Sequence, residues 1–183
     1  MGHPHESSHA QSPETVRCVQ EDLCHIDVPA PTKNFLCTTG VPARVLAGFD
    51  LTGVSSQWKE CDNWNSGLPG KRYQIGRARS TDIVVFTPSG SVYSCSRWDP
   101  DDCVFLNSSI EQLVEVLYLL ADQFCPEFDH LLHLEIPYRE SVALFKDLAT
   151  RFLAEVERVD PAYRDRVDGI WIEEADGFRS GVY

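Results

Sequence analysis

Nothing in this 183-residue chain approaches the roughly 18 consecutive apolar residues that a membrane-crossing helix needs, so no membrane partner is expected. The opening residues 1–12 are rich in His, Ser and Pro and hold no apolar stretch. They lack the character of a secretory signal and read as a flexible tail ahead of one domain over 13–183, working in the cytoplasm. The seven cysteines (Cys18, Cys24, Cys37, Cys61, Cys95, Cys103 and Cys125) are odd in number and include no Cys-x-x-Cys pair. A disulfide framework and a structural zinc site therefore both lack support, and most of these thiols are expected to be small buried apolar groups.

Catalytic signatures are missing as well. His130 and His133 stand three apart beside Asp129, but the His-Glu-x-x-His of metalloproteases is absent, and the segment reads as a junction between two helices. Neither half of the zinc deaminase signature occurs. Asp99, Asp101 and Asp102 begin like a calcium loop, yet Val104 and Ile110 occupy the positions where such a loop needs Gly and Glu. There is no Gly-x-Ser-x-Gly elbow and no phosphate-cradling Gly-rich loop. The adjacent Cys24 and His25 cannot by themselves form a nucleophile–base pair. No catalytic residue, metal or cofactor is assigned, and a binding protein is expected rather than an enzyme.

What the chain does hold is acid, unevenly placed. Its net charge is −12, and residues 1–98 contribute none of it, with nine acids and nine bases. Residues 99–183 carry nineteen acids against seven bases. Such a field repels nucleic acid and anionic membranes and speeds encounter with a basic partner. It also serves as an ordinary solvated surface. The one basic cluster, Lys71, Arg72, Arg77 and Arg79, could contact phosphate or could line the outer edge of a sheet.

Apolar residues make up 43% of the chain, enough for a substantial core. Ser12-Pro13-Glu14 reads as the start of a helix to about Leu23, and Thr32–Thr39 as one or two helical turns ended by Gly40, with Phe35 and Leu36 turned inward. A strand is expected over Val45–Leu51. Residues 52–70 follow as a loop that closes on the core through Trp58 and Trp64. Arg72–Gly76 and Thr81–Phe86 read as strands, and Thr87-Pro88-Ser89-Gly90 turns the chain into a further strand over Ser91–Cys95. Cys103–Leu106 is another strand after the acidic turn. Ser108-x-x-Glu111 reads as a capping box before a helix with Ile110, Leu113, Val114, Leu117, Ala121 and Phe124 on one face, ended by Pro126. A second helix spans Arg139–Arg158, with Leu144, Phe145, Leu148, Phe152 and Val156 as its stripe, stopped by Asp160-Pro161. The segment Val167–Gly177, with Trp171, packs back on the domain. Together these define an α+β fold with a central, mostly antiparallel sheet packed by helices.

The order of these pieces carries a resemblance. Phe35-Leu36 and Gly40-Val41-Pro42 come first, then Arg72-Tyr73-Gln74-Ile75-Gly76 and Asp82-Ile83-Val84-Val85. Gly90-Ser91-Val92-Tyr93 and Val104-Phe105-Leu106-Asn107-Ser108-Ser109 follow, and Asp160-Pro161 and Trp171 close the series. Over residues 28–177 the chain resembles the SUKH superfamily (SMI/KNR-like domains), especially its actinomycete-rich group of immunity proteins. The resemblance implies a non-catalytic bacterial protein that binds and neutralises a cognate polymorphic toxin, a nuclease or nucleic-acid deaminase with a basic active-site cleft. It implies structural roles for Ile75, Gly76, Gly90, Phe105, Asn107 and Trp171, with Asn107 at the strand-to-helix junction. The alternative within the superfamily is a regulatory or scaffolding protein with a non-toxin partner. The candidate contact surface is acidic: Asp99, Asp101 and Asp102 with Glu111 and Glu115, and a second group of Glu173, Glu174 and Asp176. No direct nucleic-acid contact is expected, and the chain is expected to be a monomer or weak dimer.

Overall fold

Strands buried on both sides run through the middle of the chain, with Ile83, Val84, Val85 and Phe86 all essentially inaccessible, and build a sheet with two unlike faces. The computed structural model describes residues 14–45, 48–55, 58–61, 70–99 and 102–181; the expected tail and Trp64 lie outside them. Strand β1 (Thr15–Val16) pairs antiparallel with β2 (Val41–Pro42), and helices α1 (Gln20–Leu23) and α2 (Ala30–Thr38) lie between them in sequence. The seven-stranded sheet comprises β3 (Arg44–Val45), β4 (Phe49–Asp50), β5 (Lys59–Glu60), β6 (Arg72–Ala78), β7 (Thr81–Phe86), β8 (Val92–Ser96) and β9 (Cys103–Asn107). Its order is β3-β4-β6-β7-β8-β9, with β5 also paired to β6. Every pairing among the described residues is antiparallel.

Five helical segments complete the chain. They are α3 (Ile110–Leu119), a π-helical segment (Leu120–Phe124), α4 (Cys125–Leu132), α5 (Tyr138–Val159) and, after a 3₁₀ turn at Pro161–Tyr163, α6 (Ile170–Ser180). Ile83 and Val85 point to the face that α3, α5 and α6 cover, where they join one continuous core with Leu117, Phe152 and Trp171. Val84 and Phe86 point the other way, into a small separate cluster with Cys95. The main core is rich in rings: Trp171 stacks on Phe49 at 5.5 Å and meets Phe152 edge-on at 6.2 Å. Burying such rings stabilises by roughly 1.5–3 kcal/mol each, before any ring–ring term.

The α+β, antiparallel architecture agrees with the sequence reading. Leu36, Phe145, Leu148, Phe152, Val156 and Trp171 are buried as expected, and Gly90 turns the chain with φ +80°. Several details differ. No helix begins at Glu14: Thr15–Val16 is a strand, because Ala43 N–H donates to Glu14 O and holds the segment extended beside β2. The expected strand at Val45–Leu51 is two short strands, β3 and β4, folded on each other with Val45 opposite Phe49. The helix cap is Ser109, whose hydroxyl accepts from Gln112 N, rather than Ser108. Pro126 does not end the helical run. It sits in the first turn of α4, and the π segment before it, where Cys125 N–H reaches back to Leu120 O, absorbs the misfit of its missing N–H. His130 and His133 accordingly belong to α4 and its C-terminal cap. Leu144 is 40% exposed, so it is not part of the core stripe.

Two further readings are overturned. The basic cluster is not a sheet edge, since β6 has neighbours on both sides. Arg72 is buried with its guanidinium 4.9 Å from the Phe86 ring, Lys71 pairs with Glu60, and Arg77 with Asp82. The cysteines are not all reduced bystanders either: Cys95 and Cys103 oppose each other across β8 and β9 and form a disulfide. Sequence spacing could not show this, because the pairing depends on strand register. Cys18 and Cys125 are buried and Cys24 is exposed. Burial pushes the Cys18 thiol up to about 11, and it donates to Val54 O at 2.9 Å.

Candidate partner-binding site

A set of buried polar contacts and one glycine shape one end of the sheet. At the junction after β9, Asn107 is fully buried; its amide donates to Asp160 Oδ2 at 3.3 Å, while its Oδ1 accepts from Trp171 Nε1 at 3.2 Å. Asp160 also accepts from Ser108 N at 2.6 Å, Ser108 Oγ at 2.9 Å and Ala162 N at 3.2 Å. This buried carboxylate ties the β9–α3 turn to the end of α5. Downstream, Tyr163 O–H donates to Asp168 O at 3.3 Å, and burial pushes its hydroxyl up to about 12, so it stays a donor at neutral pH. Gly169 has φ +117°, and a Cβ there would sit 2.8 Å from that same hydroxyl. Only glycine lets the chain enter α6 at this angle.

The opposite wall is the turn after β8. Ser96 Oγ accepts from Trp98 N and Asp99 N, Asp102 N donates to Asp99 O at 3.1 Å, and Ser96 N donates to Asp102 O at 2.9 Å. The Cys95–Cys103 disulfide closes this turn at its base. Between the two walls lies a cleft of about 240 Å³. Asp102, Asp168, Glu173 and Glu174 line it against a single arginine, Arg79.

The expected contact residues separate on this geometry. Asp102 and Glu173, from the two groups read separately in the sequence, line the same cleft, and the backbone carbonyl of exposed Asp99 accepts from Asp102 N. Glu174 is fully buried with Arg79 Nη2 at 2.7 Å, so it cannot meet a partner at the surface; it packs on the inner side of amphipathic α6 beside Trp171 and Ala175. Glu111 accepts from Thr32 Oγ1 at 3.3 Å, Glu115 pairs with Arg158 at 3.2 Å, and Asp176 pairs with Arg179 at 2.7 Å. Asp101 lies outside the described residues. The sequence reading missed Asp168, whose one local sign is the Asp-Gly turn it opens, and Trp98, a tryptophan inside a charged turn that is 90% exposed.

Among the described residues, no group of three or more His, Cys, Asp or Glu side chains is arranged to hold a metal ion, and no helix is long and apolar enough to cross a membrane. The antiparallel sheet, its covering helices and the Asn107–Asp160–Trp171 junction define an α+β domain of the SUKH superfamily. The SUKH-4 immunity protein family model matches residues 6–176, nearly the whole chain, and the chain belongs to that family. The match begins well upstream of the residues that carried the resemblance. Nothing among the curated proteins or the solved structures matches the chain. As a member of this family the chain is a toxin-neutralising immunity protein and not an enzyme.

Proposed function

We propose that this immunity protein protects a bacterial cell from inside the cytoplasm by binding a toxin domain that acts on nucleic acid, a nuclease or a nucleobase deaminase, and covering its basic active-site cleft. One observation carries the reading: the carboxylates Asp102, Asp168 and Glu173 converge on a concave surface without an arginine partner among the described residues. An enzyme that holds a polyanionic substrate presents cations, and a converging set of carboxylates competes for them as phosphates would. Asp99 extends that surface, with Asp101 beside it in sequence. Glu115 and Asp176, each paired with an arginine, and Glu111, which accepts from Thr32, are further acidic contacts, where charge steers association more than it holds the complex. The protein itself binds no nucleic acid and needs no cofactor, and it acts as a monomer or weak dimer.

The test is rescue. A nuclease or deaminase domain sought in the genomic neighbourhood of this gene is expressed in a host cell with and without the chain. Restored growth, with a one-to-one complex by size exclusion, is the expected outcome. Persistent toxicity without a complex would remove the reading.

A further inference from the structure

We infer that the cleft between the β8–β9 turn and the start of α6 is a socket for one lysine or arginine side chain of the toxin, with Trp98 as the apolar anchor beside it. This rests on the toxin-binding reading and narrows it from an acidic half to a single pocket. The first support is charge. Four carboxylates face the cleft against one guanidinium, and that guanidinium is committed to Glu174. The N-terminus of α6 adds only about half a positive charge, and Glu173 in its first turn offsets that. The balance is negative by several charges within a recess, where low-dielectric walls focus the field.

The second support is shape. A recess of about 240 Å³ takes an extended basic side chain but not a folded element of the partner. Two of its lining segments carry the two most exposed large apolar residues of the described chain: Trp98, 90% exposed, whose N–H is held by the lining Ser96, and Val167, 89% exposed, adjacent in sequence to the lining Asp168. The backbone that presents Trp98 is held by Ser96 Oγ, which accepts from both Trp98 N–H and Asp99 N–H, and a side chain offered from a fixed backbone loses less entropy on binding. Tryptophan and arginine are also the residue types that dominate interface energetics. Four acids of the helix surfaces show the contrast: Glu115, Glu127, Asp147 and Glu155 are each paired with Arg151 or Arg158.

The experiment uses the full chain and the toxin domain of the rescue test, purified with its catalytic residue disabled, with binding followed by surface plasmon resonance at two salt concentrations. The triple variant Asp102→Asn/Asp168→Asn/Glu173→Gln should bind at least 100-fold more weakly and lose most of the salt dependence of its association rate. Trp98→Ala should raise the dissociation rate 10-fold or more, with Trp98→Phe recovering most of that. Asp129→Asn/Asp147→Asn, at two exposed helix positions outside the proposed contact surface, should bind within about 3-fold of the unsubstituted protein. Near-UV circular dichroism from buried Trp171 checks that each variant is folded. If the triple variant and Trp98→Ala bind like the unsubstituted protein, the socket is overturned while the immunity function stands. If the unsubstituted protein itself does not bind, the functional reading falls and the socket with it.

Discussion

The C-terminal half holds two sets of carboxylates that share a composition and differ in their surroundings. One set is spent inside the fold: Asp160 and Glu174 are essentially inaccessible, and each is engaged by groups from distant parts of the chain. The other set, Asp102, Asp168 and Glu173, faces a cleft whose one arginine, Arg79, is taken by Glu174. A buried carboxylate must be satisfied or it destabilises the fold. An exposed one is solvated by water and kept at little cost until a partner displaces that water. Net charge cannot separate the two, although only the second set is available to a partner.

Substitutions should separate them, and the largest effect is expected at Asp160. Asp160→Ala removes the acceptor shared by Asn107, Ser108 and Ala162 and should lower stability by about 3 kcal/mol, read from urea unfolding. A loss below about 1 kcal/mol would mean that the junction is held by packing alone. Next, Arg79→Met takes away the guanidinium that faces buried Glu174. Because Arg79 is half-exposed, the expected loss is about 2 kcal/mol, below the usual figure for a fully buried pair. Double replacement of Cys95 and Cys103 by Ala should cost a similar ~2 kcal/mol, since the bridge closes a short loop. It should also broaden the NMR signals of the Trp98 turn before those of α5.

At the other extreme, Asp102→Asn and Glu173→Gln should leave stability within about 0.5 kcal/mol while weakening toxin binding, which is the sharpest form of the contrast. Loss of folding in either variant would assign these residues to the structural set. Arg151→Ala should cost less than about 1 kcal/mol despite its two carboxylate partners, Glu127 and Asp147, because all three are solvent-screened. The smallest effect concerns Asp50, whose carboxyl is held below its usual 3.8 chiefly by the Thr52 side-chain hydrogen bond. A depressed carboxylate stabilises the folded state above the unfolded value, and that contribution fades as pH falls below it. Thr52→Val should move the Asp50 titration upward by NMR and slightly reduce stability between about pH 3 and 7.

Local signals were legible where one interaction decides the outcome. The β7–turn–β8 hairpin, the α5 stripe from Phe145 to Val156 and the stop at Asp160-Pro161 all rest on residues close in sequence. The family-like order pointed correctly to Asn107 and Trp171, now seen joined by a hydrogen bond. Two of the misreadings share one cause, a distant partner: Thr15–Val16 is a strand because β2 is there to pair with it, and Ser108 turns from capping a helix to serving Asp160. The third is local, since Pro126 is tolerated because a π segment directly precedes it.

By itself, the sequence determined an α+β domain, a neutral first half and an acidic second half, and membership in a family of non-catalytic immunity proteins, because composition, periodicity and motif order are properties of the chain alone. Only the tertiary structure decided which acids count. Strand register placed Cys103 opposite Cys95, the entry through Gly169 brought α6 beside the β8–β9 turn, and the pitch of α6 turned Glu174 inward while leaving Glu173 at the cleft. Neighbouring glutamates thus have opposite fates, since successive side chains on a helix point about 100° apart and burial is set by what packs against each side.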